Sequence, residues 1–346
     1  MSSPIRAMPV RYALTMPKRF FPSTVPPARL KQAREAGDDY GVTDPPDWRS
    51  IDWPAHLHQM EVAGRAVNYV DIGEQGNDRP IVFVHGLGGQ WQNWLENVPR
   101  AAQERRVIAV DLPGFGLSEP MRDKVTIPAY GEFVGKLMDA LVIERTHLVG
   151  NSMGGFVASE VDIQSPERVE RLVLVSAAGI SSASVAKAPV LTLARAATAL
   201  ATFTAARHKS IASRPITRHA ALALVARYPS QLKPDLAWEG LIKGTGKPGF
   251  DDALRACLSY DFRDRLPEIR QPTLIVWGEF DSILPVQDAD EFERLIEDSR
   301  KVVMENTGHV PMVERASAFN DILAGFLSET GPAQQFEPEN LVSQRV

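Results

Sequence analysis

Ser152 lies in the stretch Val149-Gly150-Asn151-Ser152-Met153-Gly154-Gly155-Phe156, directly after an apolar run and at the opening of a helical pattern. A hydroxyl in that position can attack a carbonyl carbon if a base takes its proton, because serine is a poor nucleophile at its own pKa. The glycines at 150, 154 and 155 suit a sharp strand-to-helix turn. Such a turn strains the serine backbone, brings the helix close to the strand and holds the hydroxyl out at the top of a sheet. The candidate bases are the seven histidines, His56, His58, His85, His147, His208, His219 and His309. Cys257, the single cysteine, has no partner for an intrachain disulfide and no second thiol for a zinc site.

The elements that must carry Ser152 are legible in the apolar runs. His56–Val62 and Val67–Ile72, separated by Gly64, have the spacing of a hairpin. Ile81–His85, Val107–Asp111, His147–Gly150, Val169–Ser176 and Thr273–Trp277 are short, rich in β-branched residues and mostly apolar. Strands covered on both faces read this way, so the spacing predicts a parallel sheet. Between them Ile127–Val142 repeats its apolar residues on one helical face, with Thr126 as N-cap and Pro128 in the first turn. Ser152–Ser165, Val286–Glu297 and Val313–Leu327 supply further crossovers. The expected fold is α/β, a mostly parallel doubly wound sheet whose ligand site lies at the carboxyl ends of the strands.

That rhythm fails from 180 to 249, an Ala-rich helical stretch broken at Pro215, Pro229, Pro234 and the glycines from 244 to 249. It reads as an inserted helical cap, or lid, over the strand ends. The expected division is an N-terminal extension over 1–50, a core of 51–179 and 250–332, the cap over 180–249, and a C-terminal tail over 333–346. At 346 residues the chain is large for one simple core, and 44% hydrophobic and 23% charged residues are ordinary for a globular protein.

The net charge of −5 makes nucleic acid an unexpected partner. Yet residues 1–34 and 181–234 contain no Asp or Glu and are studded with Lys and Arg. Two readings stay open: these basic segments dock on the acidic remainder, or they make peripheral contact with an anionic membrane or a lipid-like substrate. No run approaches the roughly 20 apolar residues of a spanning helix, and the N-terminus lacks the apolar block of a secretory signal. A cytoplasmic location is expected.

Five motifs, in this order, carry a resemblance: His85–Gly89 (HGLGG), Asp111–Ser118 (DLPGFGLS), Gly150–Gly155 (GNSMGG), Trp277–Pro285 (WGEFDSILP) and Asn306–Glu314 (NTGHVPMVE). From about His56 to Leu327 the chain resembles the α/β-hydrolase fold superfamily, in its serine-nucleophile branch. The resemblance implies a Ser152–Asp281–His309 triad, in the chain order this fold uses. It places His309 as base in the turn after the last strand. Asp281 follows the strand Thr273–Trp277 and would orient the imidazole; Glu279 is its nearest rival. After Val169–Ser176, where some members carry the acid, the chain offers Ala177-Ala178-Gly179 and no carboxylate. Asp111 and His85 are implied to be structural. The oxyanion hole falls to the backbone N–H of Met153, by position, and to that of Leu87, by resemblance.

The implied reaction is acyl transfer to water through an acyl-Ser152 intermediate, with no metal or organic cofactor called for. An apolar, acid-free cap points to a carboxylesterase or lipase-like enzyme on small hydrophobic ester or acyl substrates. A carbon–carbon bond hydrolase of aromatic ring-cleavage products is the alternative. Against it, Val310 stands where that branch commonly has Trp, and its lid arginine is unassigned among Arg195, Arg207, Arg214, Arg218 and Arg227. A ligand receptor or a cofactor-free haloperoxidase on the same fold is a third reading, since fold alone does not set function.

Overall fold

The computed structural model describes residues 36–74, 79–181, 209–244 and 246–338. Eight strands form one sheet in the order β1-β2-β4-β3-β5-β6-β7-β8. Strands β1 (Leu57–Val62) and β2 (Arg65–Ile72) pair as an antiparallel hairpin. Its turn residues Ala63 and Gly64 both have positive φ, 50° and 74°, the two-residue geometry that matches strand twist. Strand β2 pairs antiparallel with β4 (Val107–Val110). The remaining pairings, through β3 (Ile81–Val84), β5 (Thr146–Asn151), β6 (Val169–Val175), β7 (Thr273–Gly278) and β8 (Ser299–Met304), are parallel.

Alternating side chains of strands β2 to β7 enter two separate cores, as a sheet covered on both faces requires. Val82, Val84, Leu148, Leu172, Leu174 and Ile275 pack on one side with helices α1 (Ile127–Ala140) and α2 (Met153–Gln164). Phe83, Val149, Val173, Val175 and Val276 face the other side. The expected N-cap of α1 is present: Thr126 Oγ1 accepts from the Ala129 N–H at 3.1 Å. Tyr130, Val134, Leu137 and Met138 form its buried face.

The inserted segment contains α3 (Lys209–Ser213), α4 (Pro215–Leu222) and a π-helical turn over Ala237–Ile242, and α5 (Phe250–Ser259) follows it. It touches the loop after β3, where Asn93 Nδ2 donates to the Gly240 carbonyl. It also touches the loop after β8, where the His309 N–H donates to the Val225 carbonyl at 2.8 Å. Both contacts lie at the carboxyl ends of the strands. Residues 182–208, including Arg195, Arg207 and His208, lie outside the described residues, as does most of the extension expected over 1–50.

Two sequence expectations change in detail. Helix α6 runs Gln287–Leu295, shorter than expected at both ends. The single helix expected over Val313–Leu327 is two, Pro311–Glu314 and α7 (Ala316–Ser328), because Arg315 sits at φ −134° and ψ 61°. Its guanidinium Nε donates to the Glu305 carbonyl at 3.0 Å and to Thr307 Oγ1 at 3.1 Å, and Nη2 to the Ala36 carbonyl at 2.8 Å. Residues 36–50 are docked, with Ala36, Tyr40 and Trp48 buried against the second core.

Candidate active site

The chain runs from β3 to β4 on one side and returns to β5 on the other, so the ends of β3 and β5 adjoin at the point where strand order reverses. Open α/β sheets place ligands at that crevice. Ser152 stands there, half-buried, between β5 and α2. Its backbone has φ 54° and ψ −118°, a conformation that costs a non-glycine residue about 1–3 kcal/mol and persists only where surroundings enforce it. They do: the Ser152 N–H donates to the Val175 carbonyl at 2.9 Å, and its carbonyl accepts from Gly155, Phe156 and Ala178 at 3.0, 3.2 and 3.0 Å.

The glycines that flank it are explained by space. A Cβ on Gly154 would overlap the Val84 carbonyl oxygen and lie 2.6 Å from that of His85, and one on Gly155 would lie 2.6 Å from Ala177 Cβ. A Cβ on Gly86 would stand 3.1 Å from Ser152 Cβ, so the loop carrying Leu87 passes directly beside the serine. Among the described residues no protein acceptor takes the N–H of Leu87 or of Met153, the first residue of α2. Both groups nominated as oxyanion donors are therefore uncommitted among the described residues.

Asp281 and His309 meet. His309 Nδ1 lies 2.7 Å from Asp281 Oδ2, and both residues are buried. The other carboxylate oxygen, Oδ1, accepts from the N–H groups of Ile283 and Leu284 at 2.8 and 2.9 Å, which fixes the carboxylate plane. The loop after β8 leans on the end of β7, where a Cβ on Gly278 would overlap the Gly308 carbonyl. Asn151, which precedes the serine, donates through Nδ2 to the carbonyls of Val175 at 3.0 Å and His309 at 3.3 Å. Sequence reasoning missed this tie, because an asparagine inside the motif carries no sign of its distant acceptor.

Three of the rival residues, His85, Asp111 and Glu279, are otherwise engaged. His85 is buried; Nδ1 donates to the Gly86 carbonyl at 2.8 Å and Nε2 accepts from the Leu112 N–H at 3.0 Å. Burial lowers its pKa, consistent with a neutral structural ring. Burial, with nearby arginines, also lowers His147, to about 3. Asp111 accepts from the Trp91 and Leu117 N–H groups and from Asn68 Nδ2 at 2.8, 3.0 and 2.8 Å, and so pins loops. Glu279 is exposed and accepts from the Asn306 N–H at 3.1 Å.

The arginines of the insertion also separate. Arg218 is caged by the carbonyls of Ala212, Ser213, Pro229 and Ser230 at 2.7 to 3.2 Å, and Arg214 is exposed. Arg227 lies 4.1 Å over the ring of Phe280, the residue before Asp281.

Residues 79–316 match the family model described as alpha/beta hydrolase fold. The chain belongs to the α/β-hydrolase fold family and is a hydrolase of that fold. It is 33% identical to the dihydrolipoyllysine-residue acetyltransferase component of the acetoin cleaving system of Pseudomonas putida, over 78% of this chain and 68% of that protein. It is 30% identical to the 2-hydroxy-6-oxo-2,4-heptadienoate hydrolase of Pseudomonas putida strain F1, over 79% of this chain and 97% of that one. Among solved structures, a bacterial membrane phospholipase A described as a virulence factor superposes with a TM-score of 0.60 at 26% identity, covering 89% of this chain and 92% of that chain.

Proposed function

We propose that this chain cleaves carboxylic esters of hydrophobic substrates through an acyl-serine intermediate. In this reading His309, oriented by Asp281, takes the Ser152 proton as the hydroxyl oxygen attacks the ester carbonyl. The N–H groups of Leu87 and Met153 receive the charge that develops on the carbonyl oxygen. His309 then protonates the departing alcohol, and water, activated by the same imidazole, releases the acid and restores Ser152. The supporting geometry is the 2.7 Å Asp281–His309 pair beside a strained serine turn.

One observation favours an ester over other acyl bonds. The likeness to the phospholipase spans 89% of this chain, against 79% for the carbon–carbon hydrolase relative. The comparison supports a lipid-like ester as substrate class, with peripheral contact to a membrane surface as a corollary of such a substrate. No helix of the described residues is long and apolar enough to cross a membrane.

A carbon–carbon hydrolase is the second reading. It is supported by the relative that hydrolyses 2-hydroxy-6-oxo-2,4-heptadienoate and by Arg227, the arginine of the described insertion stacked beside the Asp281 loop, where it could receive a substrate carboxylate. Turnover of a p-nitrophenyl ester series from acetyl to dodecanoyl, set against a coloured dienoic keto-acid, separates the two. The ester reading expects best turnover at medium acyl length. Faster turnover of the keto-acid than of every ester would reverse the choice.

A further inference from the structure

Glu314 is fully buried, five positions after His309 in sequence, and donors from three parts of the chain converge on its carboxylate. Oε1 accepts from the N–H groups of Gly308 and Val310 at 2.9 and 3.3 Å, the two residues that flank His309. Oε2 accepts from the Tyr40 hydroxyl at 2.6 Å and from the Arg227 N–H at 2.7 Å. The Tyr40 hydroxyl in turn accepts from the Tyr228 N–H at 2.8 Å, and the Gly41 N–H donates to the Glu314 carbonyl at 2.7 Å. The His309 N–H goes to Val225. The backbone that carries the imidazole is thus held at 308, 309 and 310 by groups outside the sheet.

A buried carboxylate is costly unless donors satisfy both oxygens. Four donors do so here. Burial raises the Glu314 pKa and these bonds oppose that rise. A carboxylate fits the site because both oxygens must accept; an amide of the same shape would turn an N–H₂ toward one of the two donor pairs.

We propose that Glu314 is a positioning residue for His309, and that through it the N-terminal arm at Tyr40 and the inserted segment at 225–228 set the reactivity of Ser152. The docked arm is then part of the machinery rather than an appendage. Chemistry of this kind is sensitive to displacement, a shift of about 1 Å costing on the order of 10²-fold. The proposal rests on Ser152 being the nucleophile, but not on which bond the natural substrate carries.

The test is the second-order rate of fluorophosphonate labelling of Ser152, with ester kcat and KM and the melting temperature, for wild type, Glu314→Gln and Tyr40→Phe. Phenylalanine keeps the ring that packs edge-on against Tyr228 and removes only the hydroxyl. Labelling and kcat are expected to fall together, on the order of 10- to 10²-fold for Glu314→Gln and less for Tyr40→Phe, with KM little changed. If Glu314→Gln does not fold, Tyr40→Phe decides. Folded variants that label at the wild-type rate, or that change only KM, would overturn the coupling while leaving the nucleophile in place. An unlabelled wild type would overturn both, and a wild type that labels yet hydrolyses no ester would overturn the substrate class alone, with the labelling rates still deciding the coupling.

Discussion

At Ser152 the strained backbone, the three glycines and the neighbouring loop form one steric arrangement. Small residues at 150, 154 and 155 were readable as such from the sequence; which atoms they avoid was not, because Val84 and His85 are distant in the chain. Gly154→Ala is expected to yield little folded protein, since its Cβ would enter the space of two backbone carbonyls; normal yield with unchanged melting would contradict the packing described. Asp281→Asn should fold normally and lose about 10³- to 10⁴-fold in kcat, because an amide can present a donor to Nδ1 and favour the wrong tautomer. Loss of less than about tenfold would remove Asp281 from the proposed role.

Strands were the most legible elements, because burial on both faces demands the short apolar runs seen at β3 to β7. The break at Arg315 escaped, since its cause is a set of bonds to residues 36, 305 and 307, and helical periodicity continues across it. The docking of Tyr40 escaped for the same reason. Within the insertion, Arg218 closes the chain around its own guanidinium through four carbonyls. Arg218→Met should therefore loosen that segment, costing about 2 kcal/mol or more from the unpaired acceptors. Limited proteolysis should cut the variant between residues 209 and 244 sooner than wild type; identical cleavage rates would show that the cage contributes nothing.

Buried titratable groups with opposing shifts shape the response of the whole molecule to pH. Burial pushes Glu96 up to about 7, Asp162 to about 7 and Asp288 to about 6. For Glu96, Thr43 Oγ1 and Trp48 Nε1 donate to Oε1 at 3.1 and 3.0 Å, which opposes the shift without cancelling it. Between the ordinary carboxylate range and these values the folded chain holds protons that the unfolded chain has released. The contribution of these carboxyls to stability is therefore greatest on the acid side of the window and falls as pH rises through it, while the lowered pKa values of buried His85 and His147 act in the opposite sense below the ordinary histidine range. Measured relative to Glu96→Gln, the wild-type melting temperature should fall between about pH 4 and pH 7. Equal slopes for wild type and variant would show that Glu96 is ionised throughout.

The most direct test of the account is the intact mass of the protein after incubation with a fluorophosphonate, followed by peptide mapping, for wild type and Ser152→Ala. One adduct, located at Ser152 and missing from the folded variant, is the predicted result. A folded wild type that gains no adduct, or one that carries it elsewhere, would contradict the claim that Ser152 is the nucleophile.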